Sequence, residues 1–384
     1  MSGIMELDCQ SSLNLLKVSP SVVSVVVSIG DKIIRCGSGT VIKIDHADNN
    51  NNSTIATILT SAYVIPDLEH SGAETKVLVY LSDAKKTTAK LVGRDVHYNL
   101  ALIEITVNQT LQAANLQWLD DTVLIDECSH TEAMSSSKTM KVFPGETIIT
   151  LCRRFHCGSR AVVSHGSYIL NGRSYQKSYF NSQFLYFSKE RPKFDCQELL
   201  YTTCKIAKDF IGGPVINCNM AVIGVTFYSR GYASFLPINV AIKWWEAIEF
   251  NRKLCHPSLG IAVGSLLLWN LESVRDLVYK FPEASKGLAV LKVVPSSGAQ
   301  AAGIVEGDII VKFDGKVLSS SLEFFEAIWE RAGSAVELVI VKVNCDSPLH
   351  VNLHIEDVPV EKFNSWPVDE APETTRQGPL TNFF

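Results

Sequence analysis

The residue types that nucleophilic catalysis and metal binding require are scattered along this chain. Ten cysteines and nine histidines are present. No CxxC motif occurs, and no cysteine stands at zinc-finger spacing from a histidine, so we expect no metal site. We likewise expect no organic cofactor.

Acyl transfer requires a hydroxyl or thiol nucleophile and a base that takes its proton. The stretch SHGS places Ser164 and Ser167 beside His165, and Cys204 has His97 as a candidate base, which would point the same way as Asn99 if both lay on a strand. No such pair lies in a GxSxG-type turn, which is the strained turn that presents a nucleophile. A Cys204–His97 dyad therefore remains one alternative. The other is that Cys204 is a small, buried, apolar residue.

Composition limits the classes of function. A chain of 384 residues, 46% hydrophobic and 20% charged, is long enough for two or three folded domains. Its net charge of -5, with both signs interspersed, argues against a nucleic-acid partner.

The longest apolar stretches reach about ten residues, whereas a membrane span needs about 20. No signal or transit pattern is evident at the start, so we expect reduced thiols and a cytoplasmic or nuclear location.

The elements that must position any site change character along the chain. Short β-branched runs separated by turn signals fill residues 19–254 and predict an antiparallel, mainly β domain, which a helix over NVAIKWWEAIEFNRKL closes. Residues 255–358 mix strands with short helices and predict a smaller α+β domain. Residues 1–18 form an N-terminal segment, and residues 359–384 a flexible tail rich in Pro, Glu and Thr.

Three separated motifs resemble the trypsin-like domain of the HtrA/Deg (Do-like) serine proteases. They are GSGTVIKI followed by ILTSAYVI, then KLVGRDVHYNLALIEI, then KIAKDFIGGPVINCNMAVIGVTF. Their order, spacing and flanking apolar runs agree with the family pattern. The resemblance implies a trypsin-like double antiparallel β-barrel. It also implies trimers that assemble through the protease domain and an N-terminal stretch, here Leu13 to Val23.

The resemblance places other residues where the family carries its catalytic groups. The histidine falls on Tyr63, the aspartate on Asn99 and the serine on Ile211, while a glycine of the oxyanion hole falls on Asp209. Tyrosine is a poor base at neutral pH, asparagine cannot stabilise an imidazolium, and isoleucine has no nucleophile. We therefore predict that no catalytic residue remains at these positions.

The second domain resembles a PDZ domain over most of its length. VVPSSGAQAAGIVEGDIIVKFDGKVLSS follows the family pattern closely. The resemblance implies a loop at Leu259, Gly260 and Ile261 that binds a terminal carboxylate, beside a strand edge that adds a peptide as a further strand. Phe325 and Ile328 on the helix LEFFEAIW would line the side-chain pocket. The alternative is that the chain's own tail, ending PLTNFF, fills this groove.

These features predict a catalytically inactive HtrA/Deg-like protein that binds extended peptides or protein C-termini. One alternative is an active serine endopeptidase of HtrA/Deg type, which would require all three alignments to be wrong. Another is a regulatory subunit in homo- or hetero-trimers with active relatives.

Overall fold

β-branched residues dominate the strands of the first β unit, and their side chains form its interior. The computed structural model describes residues 15–46, 53–66, 75–121, 139–157, 159–169, 196, 198–227, 233–250, 255–266, 271–318, 320–342 and 345–360. The first unit consists of β1 (Val22–Ile29), β2 (Lys32–His46), β3 (Thr54–Thr60), β4 (Thr75–Tyr80), β5 (Lys86–Thr88), β6 (Lys90–Asp95) and β7 (Leu100–Val107). They pair antiparallel in the order β5-β4-β1-β2-β3-β7-β6 around a buried aliphatic cluster.

The second β unit is a closed barrel. Its strands are β10 (Thr147–Arg154), β11 (Arg160–Ile169), β12 (Leu200–Thr202), β13 (Pro214–Ile216), β14 (Val222–Phe227) and β15 (Ala233–Pro237). They close in the order β10-β11-β12-β15-β14-β13. A short parallel pair, β8 (Trp118–Asp120) and β9 (Thr139–Lys141), lies between the two units in sequence. Helix α1 (Ile238–Glu249) follows the barrel and buries Trp244 in its core, as the 3.6-residue period predicts.

The C-terminal domain is smaller and mixes strands with helices. It contains β16 (Cys255–Ser258), β17 (Ile261–Ser265), α2 (Leu271–Lys280), β18 (Leu288–Val293), α3 (Gly298–Ala301), β19 (Ile309–Phe313), α4 (Ser321–Glu330), β20 (Ala335–Val341), β21 (Leu349–His354) and β22 (Glu356–Pro359). Strands β17 to β21 form one five-stranded sheet in sequence order, and β16 pairs with β22. The predicted start of this domain at residue 255 adjoins residues 251–254, which lie outside the described residues, and the domain boundaries stay a prediction.

Helix α4 joins the C-terminal domain to the barrel, because it carries apolar residues on two faces. Phe324 and Ile328 belong to the core of the C-terminal domain, whereas Leu322 and Phe325 are buried in the core cluster of the barrel. The Ser320 hydroxyl caps the helix by accepting hydrogen bonds from the Leu322 and Glu323 amides. The helix is therefore held from both sides.

Two polar contacts accompany this docking. The Asp121 carboxylate accepts a hydrogen bond from the Ser320 hydroxyl, and Asn239 Nδ2 donates to Glu326 Oε1 at 2.7 Å. In the described part of the chain, no helix combines the length and the apolar character needed to cross a membrane.

Candidate functional site: a closed cleft and an open groove

The three residues that the resemblance aligns with a catalytic triad come together at one end of the first β unit. Tyr63 follows β3, Asn99 ends the turn between β6 and β7, and Ile211 follows a 3-10 turn over Lys208–Phe210. The Tyr63 amide donates to Asn99 Oδ1 at 2.8 Å. Ile211 belongs to the aliphatic cluster of this unit, and Tyr63 packs against the same cluster. The fold therefore gathers these positions as a protease fold would.

Asn99 holds the segment from Ser61 to Tyr63 in place through hydrogen bonds. Its Oδ1 also accepts the Ser61 hydroxyl at 2.8 Å, and its carbonyl accepts the Ala62 amide at 3.1 Å. Its φ of +52° is a left-handed conformation that asparagine tolerates better than most residues. Its Nδ2 is buried and has no hydrogen-bond partner among the described residues. Asn99 thus fixes the Tyr63 turn, but its side chain carries no negative charge with which to support a base.

The side chains of Tyr63 and Ile211 both lie in packed surroundings. Ile211 is fully buried, and its side chain lies among aliphatic neighbours that include Val64 and Ile65. The Arg35 guanidinium lies over the Tyr63 ring, with its carbon 5.1 Å from the ring centroid. Arg35 Nη1 also donates to the Tyr63 carbonyl at 2.7 Å. The two side chains therefore act in packing, and the nucleophile position is filled by hydrocarbon.

The backbone where the resemblance places an oxyanion hole is occupied by internal hydrogen bonds. The Ile211 amide donates to the Lys208 carbonyl at 3.1 Å, so it does not point at a reacting carbonyl. Gly212 has a φ of +79°, and a Cβ there would lie 2.6 Å from the Ser38 carbonyl oxygen. The loop at Ile211 and Gly212 therefore has an amide used in an internal hydrogen bond and no space for a further side-chain carbon at Gly212.

Asp209 places a negative charge beside this loop. Its Oδ2 accepts from Arg154 Nε at 2.8 Å, and its carbonyl accepts the Ser38 hydroxyl at 2.6 Å. A carboxylate here opposes the build-up of negative charge that acyl transfer requires.

Cys204 and His97 do not form a dyad. The Cys204 thiol is buried beside the Thr202 hydroxyl at 3.2 Å and the Ile148 carbonyl at 3.4 Å. Burial raises the pKa of this thiol, which disfavours the nucleophilic thiolate. His97 lies in a turn, because the Asp95 carboxylate accepts the amides of His97 and Tyr98 and thereby bends the chain. The interpretation of Cys204 as a small buried residue fits these contacts.

A different group forms around His97. Its ring lies with the Cys196 thiol and the Glu198 carboxylate, and their potential metal-binding atoms are all within 4.8 Å of one another. Sequence spacing predicted no metal site, because these residues come from two segments far apart in the chain. No short motif signals such a cluster.

The C-terminal domain presents an open groove. The edge strand β17 and helix α4 line a cavity of about 520 Å³, to which Leu259, Gly260, Ile261 and Ile328 contribute, as does Phe325. Gly260 has a φ of +73°, and a Cβ there would meet Ser297 Cβ at 2.4 Å. Strand β17 pairs with β18 on one side, and all five of its residues line the cavity. The five predicted groove residues therefore meet at one cavity.

Two details of the groove were not predicted. The Gly260 amide donates to the Ser258 hydroxyl at 3.0 Å, so a bound carboxylate would compete with this side chain. Phe325 is mainly a docking residue, since it packs in the barrel core as well as on the cavity wall. The sequence LEFFEAIW predicted that helix α4 lines the groove, but it did not reveal that a second face of this helix is buried against the barrel.

The first β unit also reaches this cavity. His97 and Tyr98 line it, and the Tyr98 ring stacks on His256 with centroids 4.4 Å apart. His256 Nε2 lies 2.7 Å from Asp95 Oδ2, and both side chains are buried. Burial opposes the charged form of Asp95, but hydrogen bonds from His256 and the Tyr98 amide outweigh it and hold the Asp95 pKa below its ordinary value. The groove thus opens into the junction between domains.

Comparisons with known proteins agree with this architecture. A family model described as a trypsin-like peptidase domain matches residues 37–225, and one described as a PDZ domain matches residues 257–353. Putative protease Do-like 14 of Arabidopsis thaliana is 25% identical over 339 residues, covering 85% of this chain and 67% of that protein. Serine protease HTRA1 of Xenopus tropicalis is 33% identical over 147 residues, covering 36% of this chain and 32% of that protein.

Two further relatives extend the match across both domains. Periplasmic serine endoprotease DegP of Escherichia coli strain K12 is 23% identical over 335 residues, covering 85% of this chain and 58% of that protein. The chain thus spans about a third to two thirds of the length of these curated relatives. The solved structure of the HtrA-type protease AlgW with a tripeptide has a TM-score of 0.55 at 17% identity, covering 91% of this chain and 97% of that one.

The AlgW likeness confirms the predicted mainly β fold, in which a trypsin-like domain precedes a PDZ domain. Both family models match in the same order along the chain, and the curated relatives are proteases of one kind. The chain belongs to the HtrA/Deg family of serine proteases and their homologues.

Proposed function

We propose that this protein is a catalytically inactive member of the HtrA/Deg family that acts by binding peptides. The observation that carries the proposal is the side chain of Ile211. A fully buried isoleucine, within an aliphatic cluster, occupies the position that the family pattern assigns to the nucleophile. No serine-type attack can begin there.

The surroundings of Ile211 support the same conclusion. Catalysis that persists after loss of one triad group depends on the oxyanion hole and on substrate binding. Here the Ile211 amide is used in a local turn, and Asp209 adds a paired carboxylate beside it. Nucleophile, base, orienting acid and oxyanion donor are thus all replaced at one site.

The binding activity is assigned to the groove between β17 and α4. An extended peptide would pair with the edge of β17, while its terminal carboxylate would lie at the loop of Leu259, Gly260 and Ile261. The side-chain pocket between β17 and α4 is apolar, with Phe324 and Ile328 on its wall. We therefore propose that ligands end in an apolar residue with a free carboxylate. The AlgW structure was solved with a tripeptide, which is a ligand of a similar kind on a similar fold.

The test is a binding measurement on the full chain. Fluorescence polarisation with a library of labelled peptides that end in Val, Leu, Ile or Phe should detect saturable binding. Amidation of the terminal carboxylate should weaken that binding at least about tenfold, because a charge-assisted hydrogen bond contributes about 1.5 to 3 kcal/mol. Equal binding of acid and amide forms, or no binding by any peptide, would contradict the proposal.

Two alternatives have distinct outcomes in parallel experiments. Cleavage of casein by the purified chain would support an active endopeptidase. A regulatory subunit of mixed trimers would capture substrates only after it is mixed with an active relative, whereas the proposed binding protein captures peptides alone.

A further inference from the structure

The cluster of His97, Cys196 and Glu198 contains none of the positions aligned with the catalytic triad and none of the residues to which peptide binding is assigned. His97 and Cys196 are buried, and Glu198 is half-buried. Their side chains offer an imidazole nitrogen, a sulfur and a carboxylate oxygen, all within 4.8 Å of one another. Three different metal-binding groups thus meet at one point.

The donor types select the class of metal. Zn²⁺ binds cysteine sulfur, histidine nitrogen and carboxylate oxygen, whereas Mg²⁺ and Ca²⁺ take oxygen donors. In a tetrahedral site, Zn–S and Zn–O bonds of about 2.3 and 2.0 Å place sulfur and oxygen about 3.5 Å apart. The Cys196 thiol donates a hydrogen bond to Glu198 Oε2, with 3.4 Å between sulfur and oxygen. These two donors therefore already stand at the spacing that a shared zinc ion requires.

The histidine is held in place by neighbouring groups. The His97 amide donates to Asp95 Oδ1 at 2.9 Å, which fixes the turn that carries the ring. The rings of Tyr98 and His256 pack beside it, with centroids 5.0 and 5.3 Å from that of His97. A ligand whose backbone and ring are both supported in this way is pre-organised for binding.

One side of the cluster is open. His97 and Glu198 line the cavity of about 520 Å³ that also holds the peptide groove. Zinc sites with three protein ligands keep a fourth position for water or another ligand. We propose that His97, Cys196 and Glu198 bind Zn²⁺, with the fourth coordination position facing this cavity.

Charge and proton balance are consistent with a partly buried site. Zinc binding requires the Cys196 thiol to lose its proton to the solvent, and the sulfur lone pair then forms the Zn–S bond. Zn²⁺, one thiolate, one carboxylate and a neutral imidazole sum to zero net charge. A neutral cluster avoids the high cost of burying an isolated charge.

The site would connect two parts of the trypsin-like domain. His97 lies in the β6–β7 turn of the first unit, the same turn that ends at Asn99, whereas Cys196 and Glu198 precede β12 of the barrel. Zinc would therefore link the first unit to the barrel beside the peptide groove.

The test uses the full chain, stripped of metal by a chelator and then dialysed. Calorimetric titration with Zn²⁺ should give one tight site per chain, and Cys196→Ser should weaken it at least about 100-fold, since even outer-shell partners are worth about 10- to 100-fold. Cys218→Ser, which changes an exposed thiol, is the matched control and should bind as the wild type does.

Co²⁺ provides a second readout that does not depend on affinity. The Co²⁺-loaded wild type should show a thiolate-to-cobalt charge-transfer band, and Cys196→Ser should lack it while retaining the wild-type circular dichroism. Absence of a tight site in the wild type would overturn the proposal. An unchanged cobalt band in Cys196→Ser would also overturn it, because it would place the metal at another thiol. Either failure leaves the proposed peptide binding untouched.

Discussion

Replacing Ile211 with serine restores a hydroxyl at the aligned nucleophile position, and the structure predicts that the change is destabilising. Ile211 is fully buried in the cluster that includes Val64 and Ile65. Truncating a buried isoleucine to alanine costs about 2 to 5 kcal/mol. A buried hydroxyl without a partner adds about 1 to 3 kcal/mol. We therefore expect Ile211→Ser to lower the free energy of unfolding by at least about 3 kcal/mol.

Urea unfolding followed by tryptophan fluorescence and circular dichroism measures this loss. Ile211→Val keeps most of the hydrocarbon and should cost about 0.5 to 1.5 kcal/mol. Ile33→Ser makes the same exchange at a strand position that is 44% exposed, and it should cost less than about 1 kcal/mol. An Ile211→Ser protein as stable as Ile33→Ser would show that the site tolerates a hydroxyl, and the argument from packing would be refuted.

Three further perturbations test separate parts of the structure. Asn99→Ala removes the acceptor of the Tyr63 amide and puts alanine at a φ of +52°, so urea unfolding should show a loss of about 2 to 5 kcal/mol in the free energy of unfolding. Asn99→Gly should cost less, because glycine tolerates this φ and only the acceptor is lost. Equal losses of stability in the two variants would contradict this reasoning. Gly260→Ala should abolish peptide binding, because the added Cβ clashes with Ser297. Gly303→Ala has similar backbone strain at φ +78° but no neighbour within 4 Å, so it should bind peptides normally. Normal binding by both variants would contradict the assignment of carboxylate binding to the Gly260 loop. Burial raises the pKa of Cys152 to about 12, so this thiol should react slowly with iodoacetamide at pH 8. Peptide mapping should find Cys152 unmodified when the exposed Cys218 is fully alkylated. Comparable labelling of the two cysteines would refute the burial of Cys152.

Local sequence patterns predict most of the secondary structure of the chain. The serines before the apolar helix predict a cap at Ser320 or Ser321, and the structure has it at Ser320. An Asp-Gly pair predicts the turn at Asp314 and Gly315, both of which have a positive φ. Each of these features depends on residues within a few positions of one another. A single sequence contains that information directly.

The contacts between distant segments could not be predicted in the same way. The helix LEFFEAIW is apolar on two faces, which indicates burial on both sides, but nothing in it identifies the barrel as the partner of Phe325. His97 would point the same way as Asn99 only if both residues lay on a strand, whereas the Asp95 carboxylate makes the chain turn at His97. Its approach to Cys196 depends on how the first unit and the barrel pack together, and that packing leaves no local motif.

The proposed absence of catalysis is tested most directly by active-site labelling of the wild-type chain. A fluorophosphonate probe reacts with an activated serine, and a trypsin-like protease serves as the positive control beside a casein-cleavage assay. We predict no labelling and no cleavage by the wild type. We predict the same for Ile211→Ser, because Tyr63 and Asn99 supply no base and the Ile211 amide is held by Lys208. Labelling of the wild-type chain, together with casein cleavage that a serine-protease inhibitor abolishes, would contradict the central claim.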